Sequence, residues 1–306
     1  MKHDLPEKKS IHIPVLASEV IELLRPEPGG VYVDATVNGG GHAREILKHI
    51  GARGRLFGVD WDLGLIERTR AEAKKEHITN LTLIHGNYRD IENAIPSEFH
   101  GAISGILFDL GYSSYHIDFA GRGFSFRTDE PLDMRYDIHD SRRTAENIIN
   151  RWPEDSIANA LRVFGEERFS RQIARAIVEA RRKKAITSTS ELVKIIEAAL
   201  PRVGKRLRIH PATRTFQALR IAVNEELVNV EKGLAAACRI VRRGGRVAVI
   251  SFHSLEDRIA KNVFRELAKK GAVHILTKKP IFPSHKEISN NPRARSARLR
   301  AIERIS

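Results

Sequence analysis

The order of apolar patterns in this chain predicts an open parallel α/β sheet split by a helical lobe. Three observations carry that expectation. Strand and helix signals alternate over the first 115 residues. The rhythm then breaks into a loop-rich stretch followed only by helical patterns, up to about residue 210. It resumes with a buried strand pattern, Arg246 to Ser251, before another helix. Strand–helix alternation is the signature of a parallel sheet with crossover helices.

Taken in order, Ser18 is placed to cap a helix from Glu19 to Leu24, which Pro26 and Pro28 stop. The strands expected are Val31–Val33, Leu56–Val59, Leu81–Ile84 and Ile103–Phe108, with helices near 42–50 and 62–76 between them. Phe119 to Tyr136 is rich in glycine, arginine and aspartate and reads as loop. In Ser170–Lys183, Ile173, Ala176, Ile177 and Ala180 form an apolar helical stripe, and in Ser188–Leu200 the stripe is Leu192, Ile195, Ile196 and Ala199. Ser188 and Glu191 have the spacing of a capping box, and Pro201 closes that helix. A long helix is expected from Pro211 to Val241, with Gly244-Gly245 as its cap, then the strand Arg246–Ser251 and a helix Leu255–Lys270. The domains expected are therefore a discontinuous sheet domain, 1–116 with 211–306, and a helical insertion, 117–210, that contacts substrate.

Composition narrows the class. Of 306 residues, 42% are apolar, which suits a globular core. The chain has no 18-residue apolar run, so no membrane partner is expected. The polar segment Met1–Ser10 lacks the apolar core of a secretory signal. Cys238 is the only cysteine, which excludes an internal disulfide and fits a cytoplasmic location; in its alanine-rich surroundings it reads as a small core residue. The net charge of +14 and a pI near 10.1 favour a polyanionic partner, nucleic acid first. With 6% aromatics, no stacking platform for single strands is advertised.

The chemistry concentrates at the ends of the expected strands. Asp34 ends the first one, and Gly39-Gly40-Gly41 and His42 follow. Asp60 ends the second strand, 19 residues after Gly41, close to the offset at which a nucleotide-binding βαβ unit sets its ribose-binding acid. This arrangement is Rossmann-like and points to an adenosine-containing cofactor. A dinucleotide fingerprint would need a glycine three residues after Gly41, where Arg44 stands, and Asp34 would repel a pyrophosphate. S-adenosylmethionine has no phosphate and carries an ammonium and a sulfonium, which an acid beside the loop suits. Asp60 would accept from the ribose hydroxyls or cap the next helix. Tyr88, after the third strand, is placed to pack near adenine, and Asp109-Leu-Gly-Tyr-Ser113-Ser114 suits an active-site loop at the end of the fourth. His253, after the last strand, is either a substrate contact or a structural hydrogen-bonder, and Glu256-Asp257-Arg258 reads as capping and ion pairing. No metal-ligand spacing is recognised.

These strings, with His12-Ile-Pro-Val-Leu16, Arg122-Gly-Phe-Ser-Phe126, Pro131-Leu-Asp-Met-Arg135, Gly165-Glu-Glu167, His210 through Ile221, Ser251 through Arg258 and Asn291 through Ser296, resemble the RsmH (MraW) family of ribosomal RNA small-subunit methyltransferases along nearly the whole chain. The resemblance implies a class I methyltransferase sheet and S-adenosylmethionine as cofactor, contacted at Gly40, Gly41, His42, Asp60, Tyr88, Asp109 and His116. It implies methylation of N4 of a cytidine in the decoding region of 16S rRNA, with the small ribosomal subunit as partner. A homodimer is left open. The chain departs from the family where Asn38 replaces a usual glycine, Tyr115-His116 a usual Pro-Gln, Asp129-Glu130 a usual Asp/Asn-Gly, and Tyr136 a usual methionine. For catalysis, Asp109, Ser113 and Ser114 are the candidates to accept hydrogen bonds from the reacting amine. An RNA surface is expected from Arg181–Lys184, Lys205, Arg206, Arg208, Arg242, Arg243, Arg293, Arg295, Arg298 and Arg300.

Overall fold

The computed structural model describes residues 14–111, 113–139, 143–200 and 210–306, and Ser114 without its side chain. The expectations for that hydroxyl, for Pro201 and for Lys205, Arg206 and Arg208 lie outside the described residues.

Seven strands form one sheet: β1 (Val31–Asp34), β2 (Arg55–Asp60), β3 (Leu81–His85), β4 (Ile103–Asp109), β5 (Val241–Ser251), β6 (Val273–Ile275) and β7 (Arg298–Arg304). Their order is β3-β2-β1-β4-β5-β7-β6. β1 to β5 run parallel, and β7 is antiparallel to both β5 and β6. The Rossmann-like expectation holds for the parallel part. β1 is the first strand laid down, and the chain builds outward from it on both sides. The crevice at the ends of β1 and β4 is therefore a topological switch point, where such sheets place ligands. Apolar side chains cover both faces. Val33, Phe57, Ile106, Phe108 and Val249 belong to one cluster, while Tyr32, Leu56, Leu107, Ala248 and Leu299 belong to the other.

The antiparallel edge is a correction to the all-parallel expectation. Arg298–Arg304 carries alternate arginines, which favoured a surface reading. In the sheet, however, Arg300 is 7% exposed and its guanidinium donates to both oxygens of Asp257 (2.6 and 3.1 Å). Burial of a charge is tolerated here because it is paired.

The expected long helix is two, Thr213–Asn224 and Glu226–Ile240. Glu225 separates them in the left-handed region (φ 51°), with its N–H on the Ile221 carbonyl. The Asn224 amide explains the break: it donates to the carbonyls of Met134 (2.7 Å) and Arg220 (3.0 Å) and so ties the turn to the insertion. Gly244-Gly245 lie where the β4–β5 register shifts, inside β5, and do not cap a helix. The insertion has its own core, in which Ile148, Leu161, Ile177, Leu192 and Ile196 pack with Phe216, Leu219 and Val223 of the helix Thr213–Asn224. The helices expected at 170–183 and 188–200 are Ser170–Arg181 and Thr189–Ala199. Ser188 Oγ accepts from the Glu191 N–H (3.4 Å), and Glu191 accepts from the Thr187 N–H (2.9 Å). The first helix, Ala17–Leu24, starts without a side-chain cap, so Ser18 lies within it. Cys238 is a core residue, its thiol pushed up to about 12 by burial. No helix among the described residues is long and apolar enough to cross a membrane.

Candidate functional site

Asp34 and Asp109 end neighbouring parallel strands, and both are buried. Each has one carboxylate oxygen committed weakly or not at all. The Thr36 N–H donates to Asp34 Oδ1 (3.2 Å), whereas Asp34 Oδ2 and Asp109 Oδ1 have no hydrogen-bond partner. Burying unpaired carboxylates is expensive, and both groups respond by shifting toward neutrality. Burial, with Asp109 and Asp60 adding repulsion, holds the Asp34 carboxyl well above the usual range against the Thr36 N–H. Burial pushes Asp109 to about 7, helped by the Glu256 charge. Asp60 also rises to about 7 through burial, although the Asn38 N–H (2.8 Å) and the Asp62 N–H (2.9 Å) each donate to one of its oxygens.

The loop after β1 is built around Asn38. Its φ of 51° lies in the left-handed region, which asparagine tolerates better than most residues. The side chain adds what glycine could not, since Asn38 Nδ2 donates to the Asp109 carbonyl (3.1 Å). Together with the Asn38 N–H on Asp60, this ties the ends of β2 and β4 to the glycine loop. Thr36 adds a second tie by accepting from the Asp109 N–H (2.6 Å). Gly40 has φ 73°, and a Cβ there would lie 3.0 Å from Arg44 Nη1. Gly39 and Gly41 flank it, and Gly41 opens the helix Gly41–Ile50. His42, in the first turn, is buried, with Nε2 3.7 Å from Asp109 Oδ2.

The structure brings Asp34, Asn38, Asp60, Tyr88, Asp109 and His116 to one end of the sheet but gives several of them duties other than those expected. Tyr88 packs edge-on against Phe108 (5.7 Å between centroids) and fills the space beside Gly233. Its ring therefore packs against the core on one side, and Tyr88 also borders a cleft. His116 is neutral by construction. Its Nδ1 accepts from the Ser113 N–H (3.0 Å), so Nε2 carries the proton and faces Asp62 (3.1 Å). Burial holds its pKa below the usual histidine value, against the pull of Asp62. Both ring nitrogens are committed, so a cofactor contact would use the ring edge. Ser113 Oγ lies 3.1 Å from the same Nδ1 and is buried, which ties this catalytic candidate into the loop's own bonding. Asp62 is held at about 2: His116 and the guanidinium of Arg122 outweigh the largest effect, burial, which alone would raise it.

A cleft with about 490 Å³ of empty space is bordered by Asn38, Asp60, Tyr88 and His116, and its walls include Trp61, Gly111, Tyr136, Glu226 and Glu256. An open polar groove lined by Trp61, His85, Asn87, Arg89 and His139 lies beside it. Sequence reasoning did not single out Trp61 or Glu226 and read Glu256, with Asp257 and Arg258, as capping and ion pairing. Glu226 accepts from Arg220 Nε (2.8 Å) and Nη2 (3.0 Å) and from the Tyr136 hydroxyl (3.2 Å). Glu256 accepts from the Phe252 N–H (2.8 Å) and closes a capping box with His253. Burial would raise Glu256, but His253 and Arg220 hold it below the ordinary range. Glu226, His253 and Glu256 can each offer an atom within 4.8 Å of the others, a cluster that sequence spacing alone did not suggest.

The expected RNA contacts are spread out. Arg181 donates to the Ile149 carbonyl (2.6 Å), a tie within the helical lobe, and Lys184 pairs with Glu191 (2.6 Å). Arg242 bonds Ser104, and Arg243 is exposed. Arg293 and Arg295 are exposed on the single turn Pro292–Ser296, where Arg293 reaches Asp118 (3.1 Å) beside the Ser113 loop. Arg298 is half-buried near Asp257.

The model of the MraW methylase family matches residues 9–305. A protein named ribosomal RNA small subunit methyltransferase H from Geotalea daltonii is 44% identical over 96% of this chain and 98% of its own. Its namesake from Heliobacterium modesticaldum is 46% identical over the same shares. Among solved structures, an rRNA methylase from Streptococcus thermophilus is alike at a TM-score of 0.44 and 10% identity, over 95% of this chain and 94% of that one. With a match along nearly its whole length, the chain belongs to the MraW methylase family.

Proposed function

We propose that this protein transfers a methyl group from S-adenosylmethionine to N4 of a cytidine in the decoding region of 16S rRNA. The observation that carries the cofactor is the buried carboxylate oxygen Asp34 Oδ2, left without a hydrogen bond at the switch point of the sheet. A cation there would restore its charge, and a phosphate would not. The donor set fits: Asp34 suits an ammonium or sulfonium, Asp60 retains lone pairs for ribose hydroxyls, and the Gly39–Gly41 turn keeps side chains out of the way. Bound there, S-adenosylmethionine supplies a methyl group on a positively charged sulfur.

The names of the relatives support small-subunit ribosomal RNA as the substrate, the family resemblance supplies the cytidine N4 and its position, and the net charge of +14 agrees with an RNA substrate. Cytosine N4 is a weak nucleophile because its lone pair is shared with the ring. The protein must therefore hold it in line, which is worth up to about 7–11 kcal/mol. Asp109 accepts a hydrogen bond from the amine and stabilises the positive charge that grows on nitrogen. The bound cofactor would supply the methyl carbon on a sulfonium that leaves with the bonding pair, and the protein's task is to hold the amine in line until nitrogen can give its surplus proton to water. Ser113, whose hydroxyl is engaged by His116, is assigned to shaping the loop. Arg293 and Arg295 grip phosphate beside the site.

Incubating the protein with S-adenosylmethionine and either small-subunit RNA or intact subunits, followed by mass spectrometry of the nucleosides, tests this reading. N4-methylcytidine is the expected product, and its absence with both substrates would sink the proposal. NAD should not bind. RNA affinity should fall steeply as salt rises.

A further inference from the structure

We propose that Glu256 and His253 form the edge against which the methyl-accepting base is read, with Glu226, Tyr88 and Tyr136 completing its receptor. This deepens, and rests on, the proposed cytidine methylation. The wall comes from the far side of the cleft. Asp60 stands at the end of β2 and Ser251 at the end of β5, three strands away in the order β2-β1-β4-β5. At about 4.8 Å per strand that is roughly 14 Å. Asp60 and Glu256 thus stand at opposite ends of one cleft, and the strand that ends at Asp109 lies between theirs.

The donor and acceptor pattern of the wall is set by its own hydrogen bonds. The Glu256 N–H donates to His253 Nδ1 (3.4 Å), so Nδ1 is the acceptor and Nε2–H the donor of this ring. That atom is buried, lies 3.2 Å from Glu256 Oε1, and makes no hydrogen bond within the protein. Glu256 is 1% exposed, and its Oε2 is taken by the Phe252 N–H. What remains for a ligand is an acceptor, Glu256 Oε1, beside a donor, His253 Nε2–H. Cytosine presents the complement on adjacent atoms: the N4 amine donates and N3 accepts. Uracil presents the reverse, a carbonyl at position 4 and an N–H at position 3, so both of its groups would meet like partners. A cation is the alternative occupant of such a cluster, but the Arg220 guanidinium already binds both oxygens of Glu226 and opposes it. Asp109 Oδ1, unpaired and buried, is the second acceptor for the amine.

Glu256→Gln tests the assignment. A glutamine oxygen can still accept the Phe252 N–H, but the amide can turn either an acceptor or a donor to the ligand. The expected result is S-adenosylmethionine affinity within twofold of wild type, a melting temperature close to wild type, and a fall of at least about 100-fold in kcat on small-subunit RNA. A second readout uses a competitor RNA with uridine in place of the target cytidine. It should inhibit the wild type poorly and the variant about as well as the cytidine form does. A role in helix capping alone would leave that discrimination intact. Normal turnover in the variant overturns the inference, and so does a loss of S-adenosylmethionine affinity that accounts for the lost rate, which would give the wall to the cofactor. If Glu256→Gln does not fold, His253→Gln is read in the same way. An inactive wild type would overturn the cytidine reading and this one with it, whereas an active wild type with an unimpaired variant overturns this inference alone.

Discussion

The two ends of the cleft are built by different means. The end at β1 and β2 is made from a short run of chain, with Asp34, Asn38, Gly40 and Asp60 close in sequence and held by backbone N–H groups. The end at β4 and β5 is made from residues scattered across the chain: Asp109, Tyr136, Arg220, Glu226, His253 and Glu256, held by side chains. Backbone donors suit a cofactor shared by many enzymes, because they depend on turn geometry and tolerate changes of side chain. Side-chain donors suit the reading of one particular base, because each can be replaced without changing the fold. Asp109 belongs to both ends, since its backbone is tied to Thr36 and Asn38 and its carboxylate faces Glu256.

The strongest way to break this comparison is at the shared residue. Asp109→Ala should lower methyl transfer to RNA by at least about 100-fold while leaving the protein folded. Near-normal turnover would take Asp109 out of the mechanism. Arg220→Ala tests whether the scattered end is a rigid construction. It leaves Glu226 buried without its cation and should cost about 3–5 kcal/mol in chemical denaturation. A loss under 1 kcal/mol would mean the pair is not needed to hold that wall.

The acids at the two ends make a pH prediction. Asp60 and Asp109 rise to about 7 and Asp34 is also raised well above the usual carboxylate range, so each is protonated more readily in the fold than in the unfolded chain. Their contribution to the stability of the ligand-free protein is thus complete below about pH 4 and is lost as pH rises through 7. A cationic ligand favours the ionised acids and pulls these values down. S-adenosylmethionine affinity should therefore increase from pH 5.5 to 8, by up to about tenfold per unit for each proton released. Calorimetry in buffers of different ionisation enthalpy reads that release directly, and a flat profile would show that the acids do not meet the ligand's charge. The smallest expected effect is at Asn38. Replacing it with glycine keeps the left-handed turn and loses one hydrogen bond, about 1 kcal/mol. Alanine loses the same bond and adds roughly 1–2 kcal/mol of backbone strain. Equal melting temperatures for the two variants would show that the turn carries no such strain.

Much of the near end was legible from the sequence because its information is local. A strand ending in an acid, a glycine turn and a second acid near the expected offset predict one another's positions through the geometry of a single βαβ unit. Asn38 was recognised as the odd member of that loop, and its left-handed backbone bears this out. The far end was only partly legible. Glu256 looked like an ordinary helix cap, which it also is, and Glu226 lay within what read as one unbroken helix. The break at Glu225 depends on an amide bond from Asn224 to Met134, a partner remote in sequence. Arg298 and Arg300 read as RNA surface because they belong to a basic C-terminal run, and the sequence does not show that Asp257 waits beside Arg300.

What the sequence determined by itself was the parallel sheet, the helical character of the insertion, and the acid–glycine–acid loop, since each follows from periodicity or from spacing within one unit of chain. Only the tertiary structure decided the antiparallel edge, the break at Glu225, the internal engagement of Ser113 and His116, and the meeting of Glu226, His253 and Glu256 beside Asp109. Those features depend on which distant polar groups become neighbours once water is removed. A buried donor or acceptor takes the partner that packing brings within reach, and a linear pattern holds no record of that choice.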